Sequence, residues 1–386
     1  MEQLCECIKH RVVDRMDFTR ELSDVELQEL IAKEMSCQRA VNSLSVAQRV
    51  FVEQRIFNSL RKLDILQELI EDDTISEILV NGPKHIFYEK EGQFYEHPYH
   101  FASEEKLQDV IQQIVAKHNR VVNLTSPIVD TRLEDGSRVN IVLTPVSIDG
   151  SALSIRKFGR KPMDMKALIK IGTLNEEVAD FLKQIVVARY NIFISGGTSS
   201  GKTTFLNALS AFIPANERII TIEDSAELQL QQTPNLVRLE TRNSNQEGVK
   251  AITARELIHT ALRMRPDRII VGECRGEETL DMLQAMNTGH DGSLSTGHGN
   301  SISDMLSRLE MMVLMGNELP LLAVRQQIAI GIDVMIHLER GNDHIRRVTE
   351  ISELLRLSEG EFLIHPLYKY LNGELQKVGE LKNEKR

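Results

Sequence analysis

"NIFISGGTSSGKTTFLNALSAFI", residues Asn191 to Ile213, joins a short apolar run to a helical pattern through a glycine-rich turn. Within it, Gly196 to Thr203 satisfies the spacing G-x-x-x-x-G-K-[ST]. Glycines let the backbone wrap closely round a phosphate, and the amides that open a helix point at it. The cradle is Gly196, Gly197, Thr198, Ser199, Ser200 and Gly201, followed by Lys202, Thr203 and Thr204. Lys202 brings positive charge to the β- and γ-phosphates of a nucleotide, and Thr203 a hydroxyl ligand for magnesium. A strand leading in and a helix leading out are the context this motif requires. The stretch therefore predicts a nucleotide site at the edge of an α/β sheet.

Around it, "NIFIS", "RIITIE" and "DRIIVGE" alternate with helical segments, which predicts a parallel sheet covered on both faces. "TLNEEVADFLKQIVVARY" reads as a helix opened by a capping box from Thr173 to Glu176. Ligands of parallel sheets bind at the carboxyl ends of the strands. That edge receives Glu273, just past "DRIIV", where a carboxylate orients an attacking water or helps hold magnesium through water. Gly272 stands where an Asp is usual. Another strand end delivers Glu223 and Asp224, with Glu227 beyond. Such acids tolerate a polyphosphate when magnesium lies between them.

"NTGHDGSLSTGHGNS", Asn287 to Ser301, holds His290 and His298 among Gly, Ser and Thr. Alone it fits a metal site, a phosphate reader or a surface turn. Asp291 is adjacent in sequence rather than at a usual ligand step and no third soft ligand is near, which weighs against zinc.

Before this region the texture differs. Up to about Asp72 apolar residues recur at three- and four-residue steps, predicting a small helical bundle. "ISEILVNG", "HIFYEKEGQFYEH", "SRVNIVLTP" and "SALSIRKF" are short β-rich runs broken by Asn-Gly, Glu-Gly and Asp-Gly turns. One helix, "EKLQDVIQQIVAKHN", interrupts them. The expected domains are 1–72, helical; 73–159, α+β, ending in the linker "RKFGRKPMDMK"; and 160–386, α/β. "GELKNEKR" reads as a frayed charged tail.

With 56 acidic against 46 basic residues the net charge is -10, which argues against a chain whose main business is nucleic-acid phosphate. The N-terminus lacks the apolar core of a signal peptide, and no apolar run approaches the ~20 residues of a membrane span. Cys5, Cys7, Cys37 and Cys274 form no disulfide framework or zinc spacing, which fits a reducing cytoplasm. Cys5 and Cys7 are expected to be partly buried.

The chain resembles the secretion ATPase superfamily that drives type II and type IV secretion and type IV pili. The nearest branch is the CpaF-type motors of tight-adherence (Tad) pili. The resemblance runs from about Leu63 to Leu354, through "ISEILVNGP", "DTRLEDGSRVN", "SALSIRKF", "GGTSSGKT", "TIEDSAELQL", "LRMRPDRIIVGECRGEE" and "NTGHDGSLSTGHGNS". It implies a RecA-like P-loop domain preceded by a PAS-like α+β domain, ATP and Mg2+ as cofactors, and a homohexameric ring. It names Glu223, Asp224 and Glu227 as an acidic box and Glu273 as a variant Walker B glutamate. His290 and His298 become a His box beside the nucleotide, sensing the γ-phosphate or carrying its state to a neighbouring subunit. Glycine at 297 and 299, where many relatives have larger residues, is expected to loosen that loop. Arg138 and Arg156, with Arg132 and Arg275 behind them, match arginines that reach the nucleotide phosphates. The implied partners are other copies of the chain and an inner-membrane platform protein, with membrane contact only through partners. Two other classes compete. A RecA-type nucleic-acid translocase is disfavoured by the acidic balance, and a non-hydrolysing scaffold by the intact Lys202, Thr203 and Glu273.

Overall fold

The computed structural model describes residues 1–17, 19–20, 22–117, 120–158, 163–230, 232–242, 250–341 and 343–385. The centre of the expected linker, 159–162, lies outside them. The chain divides into two compact units, Met1–Arg160 and Lys161–Arg386. Among the described residues no helix is long and apolar enough to cross a membrane.

The first unit opens with helices Glu2–Arg15, Asp24–Ser36 and Val46–Arg61. Ile8, Val12, Leu27, Ile31, Val52 and Ile56 interlock as their core. Ser23 and Ser45 start two of these helices with capping boxes, completed by Glu26 and Gln48. Cys5 is buried in this core, whereas Cys7 is exposed rather than half-buried.

A six-stranded antiparallel sheet follows: β1 (Ile75–Asn81), β2 (His85–Lys90), β3 (Gln93–Glu96), β4 (Ile128–Arg132), β5 (Arg138–Val142) and β6 (Ala152–Arg156), in the order β3-β2-β1-β6-β5-β4. Helix Glu104–Ala116 buries Leu107, Val110, Ile111, Ile114 and Val115 in one core with Ile78, Val80, Val139, Ile141, Leu153 and Ile155 of the sheet. The alternation of strand side chains leaves the polar residues on the other face.

The second unit is built on nine strands: β7 (Ile192–Gly196), β8 (Ile219–Glu223), β9 (Leu236–Glu240), β10 (Arg268–Val271), β11 (Leu294–His298), β12 (Val334–Arg340), β13 (Arg346–Ser358), β14 (Glu361–Leu371) and β15 (Glu374–Lys377). Their order is β15-β14-β13-β12-β7-β11-β10-β8-β9. From β12 to β9 neighbouring strands are parallel, and β13 to β15 extend the sheet as antiparallel strands. Strands β7, β8 and β10 are buried along their whole length, as their unbroken apolar runs predict. Two apolar clusters accompany the sheet, one around Leu182, Phe205 and Leu206, the other around Leu283, Met305 and Leu309.

Two expectations need correction. Helix Glu176–Val187 is capped by Asn175, whose side chain accepts from Val178 N at 2.9 Å. Thr173 is buried two residues earlier, and Asn175, immediately before the first helical residue, is the cap within reach of the open amides. Nor is the final stretch frayed. Buried Glu353 accepts from the backbone N–H of Lys382 (2.9 Å) and Asn383 (2.7 Å). Tyr190 donates its hydroxyl to Asn383 O at 2.7 Å and accepts from Lys385 N at 2.8 Å. Lys385 Nζ pairs with Asp333 at 2.5 Å and Asp291 at 3.2 Å.

Candidate nucleotide site

The loop after β7 supplies the first group of side chains. Gly196 ends the strand in a space so tight that a Cβ would lie 2.5 Å from both Leu338 O and Ser200 Oγ. Ser199 (φ 59°) and Gly201 (φ 92°) take left-handed conformations, and helix Lys202–Ser210 begins at once. Alternation of this kind turns backbone amides toward an anion. Thr203 and Thr204 stand half-buried in the first turn of the helix.

Lys202 is 7% exposed, and its ammonium is fully engaged. Nζ donates to Gly196 O at 3.1 Å, Gly197 O at 3.0 Å and His298 Nδ1 at 3.1 Å. Burial lowers the Lys202 pKa, against the pull of the Glu273 charge. The loop's own carbonyls thus accept hydrogen bonds that the ammonium could otherwise give to an anion.

His298 reaches this lysine because β11 runs parallel beside β7, pairing His298 with Gly196. With Nδ1 accepting from Lys202, the ring proton sits on Nε2, which lies 2.9 Å from Glu273 Oε1. Burial again pushes the His298 pKa down, opposed by Glu273 and assisted by the Lys202 charge. The imidazole therefore stands between ammonium and carboxylate. The flanking glycines do not loosen this position. A Cβ at Gly297 would come to 2.9 Å from Met305 Cε and Phe193 Cζ, and one at Gly299 to 3.0 Å from Met305 Cβ. They are small because Met305 fills the space.

Glu273 continues the row. Arg275 donates to Glu273 Oε2 at 2.9 Å and lies 3.4 Å from Asp224 Oδ2. That hydrogen bond, with Glu273 and Asp224 as charge partners, raises the Arg275 pKa. Lys202, His298, Glu273, Arg275 and Asp224 form one continuous polar row along the carboxyl edge of the sheet.

Glu223 is placed differently from Asp224. It is 5% exposed; Oε2 accepts from Glu227 N (2.7 Å) and Leu228 N (2.9 Å), so it folds the acidic segment back on itself. Its Oε1 is buried with no partner among the described residues. Burial raises its pKa despite those two amides. Gly272 now has a physical reason: a Cβ there would lie 2.9 Å from Glu223 Cγ. The long acid on β8 occupies the volume that an Asp after β10 would need.

The donor set fits a nucleotide with its magnesium. Thr203 and the orphaned Oε1 of Glu223 are oxygen ligands of the type magnesium prefers, and the amides that open helix Lys202–Ser210 suit phosphate.

His290 is not brought to this edge. It precedes β11, and the adjacent Gly292 N and Ser293 N donate to Asn191 Oδ1 (2.8 and 3.1 Å) at the entry of β7. His290 and His298 therefore lie toward opposite ends of β11, which sets them apart for use on one phosphate or one metal ion. His290 Nδ1 is 3.3 Å from Ala285 O.

The arginines of the first unit show an arrangement that linear reading misses. Arg132 pairs across the ladder with Arg138, Arg138 with Arg156, and Arg156 with Glu77. Cross-strand partners share a face, so three arginines line one outward row of the sheet. Like charges directly opposite one another cost stability; the row continues into two acids, Glu77, which lies 3.8 Å from Arg156 Nε, and its own partner Glu89.

Comparison with known proteins shows the family of the chain. A protein named for conjugal transfer from Mycobacterium tuberculosis is 35% identical over 302 residues, 77% of this chain and 85% of its own. The type IV secretion system protein PtlH of Bordetella pertussis is 33% identical over 315 residues, 75% of this chain and 93% of its own. In fold, the chain is similar to the Legionella pneumophila ATPase DotB, with a TM-score of 0.55 and 22% identity over 76% of this chain and 80% of that one. The family model of type II/IV secretion system proteins matches residues 59–349, well over half the chain, and the protein belongs to that family.

Proposed function

We propose that the chain is an ATP-hydrolysing motor subunit that works as a homohexameric ring in a secretion or pilus system. The observation that carries this reading is the polar row from Lys202 through His298 to Glu273. It sets an ammonium, an imidazole and a carboxylate side by side on one sheet edge. In this reading the phosphates draw Lys202 away from the loop carbonyls. Thr203 and, through water, Glu223 or Glu273 would hold magnesium, which would supply positive charge beside the phosphates. Glu273 orients the attacking water. His298, losing its lysine partner to the phosphate, reports whether the γ-phosphate is present. Arg138 and Arg156 add positive charge to the reaction when the first unit engages the nucleotide, which ties turnover to domain movement.

The decisive experiment measures MgATP binding and phosphate release by the purified full chain across a concentration series. Turnover per subunit should climb as rings form; a chain that binds no nucleotide defeats the reading.

Two systems remain in view for the work performed. The wording "TIEDSAELQLQQ" and the helical N-terminal region favour assembly of a Tad pilus of the CpaF type. The relatives named for conjugal transfer and type IV secretion favour export of DNA or effector protein. Deleting the gene and scoring surface pili against DNA transfer separates them. In either case the chain acts at the cytoplasmic face of the inner membrane, through a platform protein embedded there.

A further inference from the structure

Arg346 opens β13, 144 positions from Lys202 along the chain, in no recognisable motif. Strand β12 pairs with β7 so that Leu338 stands beside Gly196, and Arg346 pairs with Arg340 two residues further on. The β12–β13 hairpin therefore projects past the sheet edge next to the phosphate loop. Arg346 Nε donates to Ser199 O at 2.9 Å. Its side-chain stem lies over Gly201, where a Cβ would meet Arg346 Cδ at 3.1 Å.

Ser199 is the residue that needs holding. Its φ of 59° is left-handed, a conformation that L residues other than glycine leave when nothing over-determines them. In a trans peptide the C=O and the following N–H point opposite ways. A guanidinium that holds the Ser199 carbonyl outward therefore holds the Ser200 N–H inward. That N–H does point into the loop, 3.3 Å from Gly197 O, the same carbonyl that receives Lys202 Nζ.

We infer that Arg346 is a positioning residue for nucleotide binding: it clamps the 199–200 peptide so that the loop keeps an amide ready for phosphate. This rests on the nucleotide reading of the loop given above. The clamp is a charge-assisted hydrogen bond from a side chain exposed to solvent, so it acts on the loop and not on the core.

The test is a double-mutant cycle read as MgADP affinity of the full chain. Arg346→Ala should weaken MgADP binding about five- to tenfold, with the thermal midpoint held. The same substitution made on a Ser199→Gly background should cost little, because glycine adopts the left-handed conformation without a clamp. Equal loss on both backgrounds overturns the clamp, as does an Arg346→Ala variant that binds like the parent. Lys202→Ala, measured alongside, separates the two levels. If it too binds MgADP like the parent, the nucleotide reading itself fails; if it loses binding while Arg346→Ala does not, only the clamp falls.

Discussion

Lys202 and His298 sit 96 residues apart in the chain and 3.1 Å apart in space, the ammonium donating to Nδ1 of the ring. The contact exists because β7 and β11 are parallel neighbours in register, with Gly196 opposite His298. It makes the lysine of the loop after β7 and the carboxylate past β10 two ends of one connection.

Separating those two ends gives the first expected outcome. Lys202→Ala should lose nucleotide affinity, because among the described residues it is the cation that the loop carbonyls hold. Glu273→Gln should keep MgATP bound while turnover falls about 10²-fold or more, since an amide is no substitute for the carboxylate in a proton transfer. Equilibrium binding and phosphate release measured on both variants check this. Parental turnover in Glu273→Gln would remove the residue from the mechanism.

The pH dependence of stability follows from His298. Its pKa in the folded chain is depressed below the ordinary 6.5, mainly by burial. The unfolded chain thus takes up a proton at a higher pH than the folded one, and stability is lost as pH falls through about 6.5 toward the folded value. His97 and His337 shift the same way, both through burial. The informative quantity is therefore the difference between the parent and His298→Gln. Thermal midpoints between about pH 7.5 and 5.5 should fall less steeply in the variant. Identical slopes would show that His298 does not titrate as its surroundings require.

Gly272→Ala tests the steric link with Glu223. A methyl group 2.9 Å from Glu223 Cγ must push that side chain away. The overpacking should cost about 1–3 kcal/mol in stability. Turnover should fall further than this implies, because Glu223 also holds the amides of Glu227 and Leu228. Thermal melts and steady-state rates on the same preparation compare the two losses.

Arg156→Ala should behave in the opposite manner. The side chain is 63% exposed, faces Arg138 across the ladder and lies near Glu77. Its removal should leave stability within about 0.5 kcal/mol of the parent. If the arginine row neutralises charge on the reacting phosphate, turnover should drop about tenfold or more. An unchanged rate would restrict the row to a surface role.

Much of this site is legible along the chain. The loop spacing, the apolar strand runs and the acid past each strand end are local signals, and they place Lys202, Glu273, Glu223 and Asp224 on one edge. What escapes is whatever depends on register between distant strands. Arg346 carries no motif and meets Ser199 only because β12 flanks β7. Arg132, Arg138 and Arg156 become a row only when β4, β5 and β6 pair. His290 and His298 look like a pair in sequence, yet a five-residue strand separates them toward opposite edges. The glycines at 272 and 297 read as departures from a pattern until the side chains that fill their missing volume are seen.

The anchored stretch from Lys382 to Lys385 has a consequence for how the chain is made. Its partners Tyr190, Asp291, Asp333 and Glu353 all leave the ribosome before it does, and the tie to Tyr190 spans more than 190 residues. Contacts so far apart in sequence form late, after slower chain closure. The sheet must therefore assemble with this clasp still open, and the fastening of its amino edge follows the synthesis of everything the clasp holds. A chain that stops before residue 382 would lack the latch on Tyr190, Asp333 and Glu353 and leave the amino edge of the sheet open.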